Sequence, residues 1–367
     1  FLMNRFFYLI KACSKDIEMK KFNVAIFSMA AFVLSIFSSC SKEKKETFNL
    51  YNWSYYTPDS VLEKFAKEYN CKVKVDYFDS NEMMYAKLRA GAKGYDLTIP
   101  SQDYTSIMIK QGMVQKIDHS QFPNSKYINP EALEKAKGYD PDMTWSVPYC
   151  LAASGISVNK TKVKDYEKSF DIFSRTDLAG HMTMMDDMRV TMGSALKHLG
   201  YSLNTTDDKE LREAADLIIN KWRPNLIKFD AEGYGKSFAS GDFWVCDGYA
   251  EIVFAEVPED KHDEVIDFFV PECGSAAYLD SMVILKDAKH YDLAMKFIDF
   301  SHRPEIYAEF CDALKFPAYI NKEAAKYTKK KPMYPVETLE KVELKMDVGE
   351  ALSKYDALWQ EIRFSAE

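Results

Sequence analysis

Four aspartates in this chain stand just past an apolar run: Asp103, Asp187, Asp247 and Asp280. A carboxylate at such a place ordinarily caps a helix or closes a turn. Four in the same kind of position suggest more, because facing one cleft they would make it strongly anionic. The stretch Thr47–Tyr69, TFNLYNWSYYTPDSVLEKFAKEY, offers a natural complement. Phe48, Leu50 and Tyr51 form a strand-like apolar run that stops at Asn52, and Thr57-Pro58 reads as a helix start. Val61, Leu62, Phe65, Ala66 and Tyr69 then recur at helical spacing. Between strand and helix lie Trp53, Ser54, Tyr55 and Tyr56, three rings and a hydroxyl in a loop after the carboxyl end of a strand. That is where open α/β sheets bind ligands, although the same rings would also serve to plug the top of a core.

Reaction chemistry has no comparable support. The chain has no HExxH or GxSxG pattern, and its six histidines are scattered without ligand spacing. The expectation is a binding protein rather than an enzyme, with no metal and no cofactor. Gly235-Lys236-Ser237 resembles the end of a phosphate loop, but Asp230 stands where that loop needs a glycine, so a surface loop is expected. Of seven cysteines, the five from Cys71 onward (Cys71, Cys150, Cys246, Cys273 and Cys311) show no CxxC spacing, which indicates neither a zinc knuckle nor a disulfide framework. They read mainly as buried thiols, with one or two pairs left open.

Met19-Lys20-Lys21 precedes the apolar run FNVAIFSMAAFVLSIF and then Ser38-Ser39-Cys40. A basic start, a run short for a membrane span and small residues before a cysteine resemble a bacterial lipoprotein signal, with Cys40 the lipidated first residue. Phe37 departs from the leucine usual three places before that cysteine. The competing reading is an uncleaved N-terminal anchor. Residues 1–18 fit no targeting pattern and read as an extension upstream of a start at Met19; 19–39 would be the signal peptide and 40–46 a charged tether. The formal net charge is −8, and 1–39 holds five basic and two acidic residues, which leaves −11 for the exported part. Such a balance argues against nucleic acid and favours cationic ligands.

Val73, Val75 and Tyr77 alternate as in a strand, Ser80 caps a helix from about Glu82 to Ala92, and Tyr95–Ile99 is the next strand. This alternation predicts a largely parallel sheet with helices on its faces, and it puts Ser101 and Asp103 at the same rim as Trp53. Trp145–Tyr149 and Gly155–Asn159 read as two short extended runs, a first crossing between lobes. Met182–Met185 runs into Asp186-Asp187; Phe243–Cys246 is a strand ending at Asp247-Gly248; Tyr278–Ile284 could carry the chain back. Helices are expected near 191–199, 207–222, 288–300 and 305–314, and in a final segment with Tyr355, Trp359 and Ile362 on one face.

The segments LYNWSYYTPDSVLEKF, DSNEMMYAKL, GYDLTIPS, LKHLGYSLNTTD, YLDSM and MDVG together carry a resemblance to the extracytoplasmic spermidine/putrescine-binding proteins of ABC transporters, from about Phe48 to the last helix. The resemblance implies a two-lobed α/β fold of the periplasmic-binding-protein type II, each lobe a mostly parallel sheet flanked by helices. The lobes would be 47–152 with 279–324 and 153–278 with 325–367, and a polyamine would lie in the cleft between them. It also implies a monomeric lipoprotein at the periplasmic or other extracytoplasmic face, serving a permease and an ATPase that are separate chains. Rival readings are another solute such as thiamine or a different amine, or a sensor that presents its ligand to a membrane protein.

Carried over by position, Trp53, Ser54 and Tyr56 fall on the family's binding loop, Ser101 on a binding serine, and Asp187 and Asp280 on two amine-holding carboxylates. Asp103 replaces a tyrosine, Tyr278 a stacking tryptophan and Phe316 a tyrosine. Tyr55 and Val190 stand where glutamates assist, and Cys246 where another tryptophan stacks. Lys345 replaces a binding glutamine. Ammonium groups taken out of water need ionised partners, and the alkyl chain between them suits aromatic faces. An ammonium at Lys345 is unfavourable beside a cationic ligand unless Asp103 or Asp247 neutralises it. The sequence leaves open whether the side chain or only the backbone reaches the cleft.

Overall fold

Phe48 and Leu50 alternate with polar neighbours, and this period of two builds the first strand: β1 (Thr47–Trp53) buries Phe48, Leu50 and Tyr51. The computed structural model describes residues 45–54 and 56–365; the leader, Cys40 and Tyr55 lie outside them. Residues from Glu46 onward form one compact unit. β1 pairs in parallel with β2 (Lys72–Phe78) along its whole length and with β3 (Leu97–Thr98) on its other side. The crossover to β2 is the helix Asp59–Glu68, which buries Val61 and Phe65. Its cap position is Pro58 rather than Thr57; the Thr57 hydroxyl instead accepts from Asn52 Nδ2 at 2.8 Å, tying strand end to helix start. Ser80 caps the helix Asn81–Arg89, its hydroxyl accepting from Met83 N.

The two short runs expected around residues 145–159 are one strand. β4 (Ser146–Asn159) is 14 residues long and buried throughout. Downstream come β5 (Met182–Met184), β6 (Leu226–Phe229), β7 (Val245–Tyr249), β8 (Ile266–Phe269), β9 (Ala276–Ile284) and β10 (Glu343–Leu344). The sheet order is β2-β1-β3-β9-β4-β7-β5-β6, with β10 on β9 and β8 on β4. β4 changes partner midway: Ser146–Ala153 pairs antiparallel with β9, and Ser154–Asn159 lies against β7 and β8. The register shifts at Pro148, which has no N–H to give to the ladder. Gly155 sits at the change of partner, where a Cβ would come within 2.6 Å of Phe268 Cζ and Phe269 O. β5 runs parallel to β6 and β7. Thus parallel strands flank an antiparallel centre made of the two long crossing strands.

Helices pack on both halves. Tyr291–Ser301 and Pro304–Leu314 cover the half containing β1, with the Phe65 ring in contact with those of Phe297 and Phe300. In the other half Phe170, Phe173 and Trp222 pack with Ile156 and Met184, and the final helix Leu352–Phe364 adds Tyr355, Trp359 and Ile362. Two expectations need correction. Asp247 lies within β7, not beyond its end, while Asp280 falls inside β9, in line with the strand reading of Tyr278–Ile284. Gly235-Lys236-Ser237 opens the helix Tyr234–Ser240 instead of forming a surface loop. Asp230 is the reason, since its Oδ1 accepts from Glu232 N and Gly233 N and turns the chain into that helix. Among the described residues Cys150, Cys246, Cys273 and Cys311 form no disulfide; Cys71, Cys150, Cys246 and Cys311 are buried and Cys273 is exposed.

The entry to β4 is set by Asp140, 3 % exposed, which accepts from Thr144 N, Trp145 N and Ser146 N and from the Ser146 hydroxyl. Asp140→Ala should leave those donors without an acceptor and lower stability by about 2–3 kcal/mol. Urea unfolding measures this, and a change under about 0.5 kcal/mol, the level of an ordinary surface substitution, would show that the turn holds without its carboxylate.

Candidate ligand-binding site

Because β1 and β3 are parallel neighbours, the loops after their carboxyl ends share one rim. Trp53 closes β1, and its indole Nε1 donates to Ile99 O at 2.8 Å, which fixes the ring against the end of β3. Ser101, just before the helix Gln102–Lys110, is held by Asn81, which accepts from Ser101 N and donates to its hydroxyl. The carboxyl ends of β5 and β7, parallel neighbours in the other half, bring in Asp187 and Glu251. A cavity of about 560 Å³ opens between these rims.

Asp280, in the middle of β9 and 2 % exposed, is its best-organised group. Tyr56 Oη donates to Asp280 Oδ2 and Ser101 Oγ to Oδ1, both at 2.7 Å. Burial pushes this carboxyl up to about 7 despite those two hydroxyls, and Asp103 and Glu251 push in the same direction. Burial likewise pushes Glu251 up to about 7, although Tyr278 Oη donates to its Oε1 at 3.2 Å. Glu251 Oε2 is buried and has no hydrogen-bond partner among the described residues. Asp103 is also raised by burial, against the Tyr104 N–H and the charge of Lys345. Phe316 and Leu314 supply apolar wall, and Tyr249 meets Tyr278 edge to face at 5.4 Å.

Nine of the twelve candidate residues line this cavity: Trp53, Ser54, Tyr56, Ser101 and Asp103 from the first half's loops, and Tyr278, Asp280, Phe316 and Lys345. Tyr55 lies outside the described residues. Asp187 and Asp247 do not line it. Asp187 caps the helix Met188–His198, its Oδ1 accepting from Arg189 N and Val190 N, while Oδ2 lies 3.7 Å from Lys345 Nζ. Asp247 is fully buried in β7; Oδ2 accepts from Ser194 Oγ at 3.0 Å and Oδ1 has no partner among the described residues. Burial pushes it up to about 7, opposed by Ser194 and reinforced by Asp187. The Lys345 side chain does enter the cavity, and its ion partner is Asp187 rather than Asp247.

Glu251, Tyr249 and Gln102 line the cavity without having been singled out in the sequence. Gln102 clasps three segments, donating to Lys345 O at 2.6 Å and accepting from Leu279 N at 2.8 Å. Glu251 carried the same signal as the four aspartates, a carboxylate shortly after an apolar strand. Gln102 carried none beyond its place next to Ser101. Among the described residues no group of His, Cys, Asp and Glu could hold a metal ion, and no helix is long and apolar enough to cross a membrane.

Buried carboxylates that accept from neutral hydroxyls, beside aromatic faces and between two α/β halves, are the features of a solute-binding cleft suited to a cation. The chain belongs to the bacterial extracellular solute-binding proteins, whose family model matches residues 60–336. The spermidine/putrescine-binding periplasmic protein of Escherichia coli K12 is 33 % identical over 360 residues, 94 % of this chain and 99 % of that one. The crystal structure of the Tp0655 (TpPotD) lipoprotein of Treponema pallidum is 51 % identical with a TM-score of 0.82, covering 87 % of this chain and 100 % of that one. A spermidine/putrescine ABC transporter substrate-binding protein from Streptococcus pneumoniae, 26 % identical, has a TM-score of 0.81 and covers 88 % of this chain and all of that one, 100 %. The two-lobed fold of these proteins is the fold of this chain.

Asp280 and Glu251 give the cavity a pH dependence of definite sign. Both sit near 7 when empty, and an ammonium beside them favours their ionised forms. Affinity for a cationic ligand should therefore be level above pH 7.5 and fall as pH drops through 7, by up to about tenfold per unit for each carboxyl. Titration calorimetry in buffers of different ionisation enthalpy should record proton release at pH 6 and little at pH 8. Equal affinity and no proton release at pH 6 would mean that neither group titrates on binding.

Proposed function

We propose that this chain captures a polyamine of the putrescine/spermidine kind outside the cytoplasm and delivers it to an ABC permease. The observation that carries this reading is Asp280, a buried carboxylate facing the cavity whose partners among the described residues are hydroxyls. Such a group is poorly stabilised until a cation arrives. Glu251 adds a second, and Trp53, Tyr56, Tyr278 and Phe316 offer faces for the methylene segments between amines. The naming of the E. coli and S. pneumoniae relatives for spermidine and putrescine supports it.

In this reading the ligand bridges two lobes, 47–152 with 279–324 and 153–278 with 325–367, and the hinge lies where β4 and β9 cross between them. Contacts to both lobes favour the closed form, which the permease recognises. The protein acts as a monomer, with permease and ATPase as separate chains. Asp280 is the main charge partner, with Trp53, Ser54, Tyr56, Ser101, Asp103, Tyr278, Phe316 and Lys345 around the ligand and Asp187 behind Lys345. Cys40 carries a lipid that holds the protein on the membrane face, a reading supported by the lipoprotein of T. pallidum.

Calorimetric titration with a panel of polyamines tests the function directly. Truncating one side of a buried charge pair costs about 2–5 kcal/mol, so Asp280→Asn should weaken amine binding at least tenfold in a folded protein. Undiminished affinity in that variant would remove Asp280 from the site. For the anchor, Cys40→Ala should abolish incorporation of labelled palmitate and leave an uncleaved or soluble form; label entering the variant would refute the assignment.

A further inference from the structure

Lys345 follows β10, and both of its backbone polar groups are engaged. Its N–H donates to Ala277 O at 3.2 Å, and its carbonyl accepts from Gln102 Nε2 at 2.6 Å. The segment is thus clasped between β9 and the helix Gln102–Lys110, and the side chain, 18 % exposed, lies in the cavity. Its Nζ is 3.7 Å from Asp187 Oδ2 and 3.4 Å from Tyr249 Oη. Burial works against this ammonium, but Tyr249, Asp187 and Asp103 together hold it above the usual lysine value, so it stays charged.

The cavity is therefore asymmetric. At the Lys345 end a positive charge is already in place. The Asp187 carboxylate behind it is used on both oxygens, one by the helix cap and the other by Lys345. Elsewhere in the cavity Asp280 has, among the described residues, hydroxyl partners only. Glu251 has the Tyr278 hydroxyl and its own backbone N–H, with no partner for Oε2 among the described residues. Two ammoniums can be matched to these two carboxylates. The cavity's other carboxylates already have partners, Asp103 in Lys345 and the Tyr104 N–H, and Asp79 in the Ser54 hydroxyl. A third ammonium would have to share them against the repulsion of Lys345.

We propose that Lys345 supplies from the chain itself the ammonium that a third ligand amine would bring, so that the cavity selects diamines over triamines. The inference rests on the polyamine reading and sharpens it to a ligand class; the repulsive element carries the discrimination, as specificity commonly requires.

The test is calorimetric titration of the full chain in detergent with 1,4-diaminobutane, spermidine and 4-aminobutyrate. The parent should bind the diamine at least tenfold more tightly than spermidine. Lys345→Gln and Lys345→Met, checked for folding by thermal unfolding, should shift that ratio at least tenfold towards spermidine, while Lys345→Arg keeps the parent's preference. Spermidine bound more tightly than the diamine by the parent, or an unchanged ratio in the folded neutral variants, would overturn the inference and leave the polyamine reading intact. Tighter binding of 4-aminobutyrate would overturn it differently, by making Lys345 a receptor for a ligand carboxylate. A parent that binds no amine would remove both readings together.

Discussion

A carboxylate in the middle of a buried strand must find donors, and at Asp280 that requirement draws three remote segments together. The donors are Tyr56, on the loop after β1, and Ser101, on the loop after β3. They reach Asp280 only because β1 and β3 are parallel neighbours and β9 runs antiparallel against β3. Strand order, loop position and side-chain chemistry are thus coupled through one group. The hydroxyls give each carboxylate oxygen one hydrogen bond but bring no charge, so burial outweighs them and the carboxyl is pushed up to about 7. What enters the cavity decides the rest.

Holding such groups without a counter-ion works against the stability of the empty protein. The surrounding fold supplies the compensation. β4 is buried along all 14 residues and is paired first with β9 and then with β7 and β8, and large hydrophobic clusters form the core around it. A rigid frame lets the cavity keep its carboxylates in place of collapsing around them or admitting lysines from outside. Binding energy then comes from relieving a stress already present, a form of preorganisation.

Asp187 shows how one side chain serves two purposes. Its Oδ1 satisfies the first turn of the helix Met188–His198, and Oδ2 faces Lys345. The ordinary reading of an aspartate before a helix and the binding-site reading are both contained in it. The cap also fixes the carboxylate's direction, so the position of the Lys345 ammonium is set by backbone geometry rather than by a mobile surface pair.

Much was legible in the sequence, because local patterns determine local structure. Alternation gave β1 and β2, helical spacing gave the helix Asp59–Glu68, and a strand followed by an aromatic loop marked the rim at Trp53. Segment-long motifs carried the family. Depth and direction were decided elsewhere. Asp247 and Asp280 look alike in sequence, each beside an apolar run, yet one is sealed in β7 against Ser194 and the other opens on the cavity. The difference lies in which strands flank them, a property of pairing between residues far apart in the chain. Lys345 and Glu251 follow the same rule. Whether a charged side chain meets solvent, a ligand or another charge is set by long-range packing, whereas the chain's own periodicity reports only which face it is on.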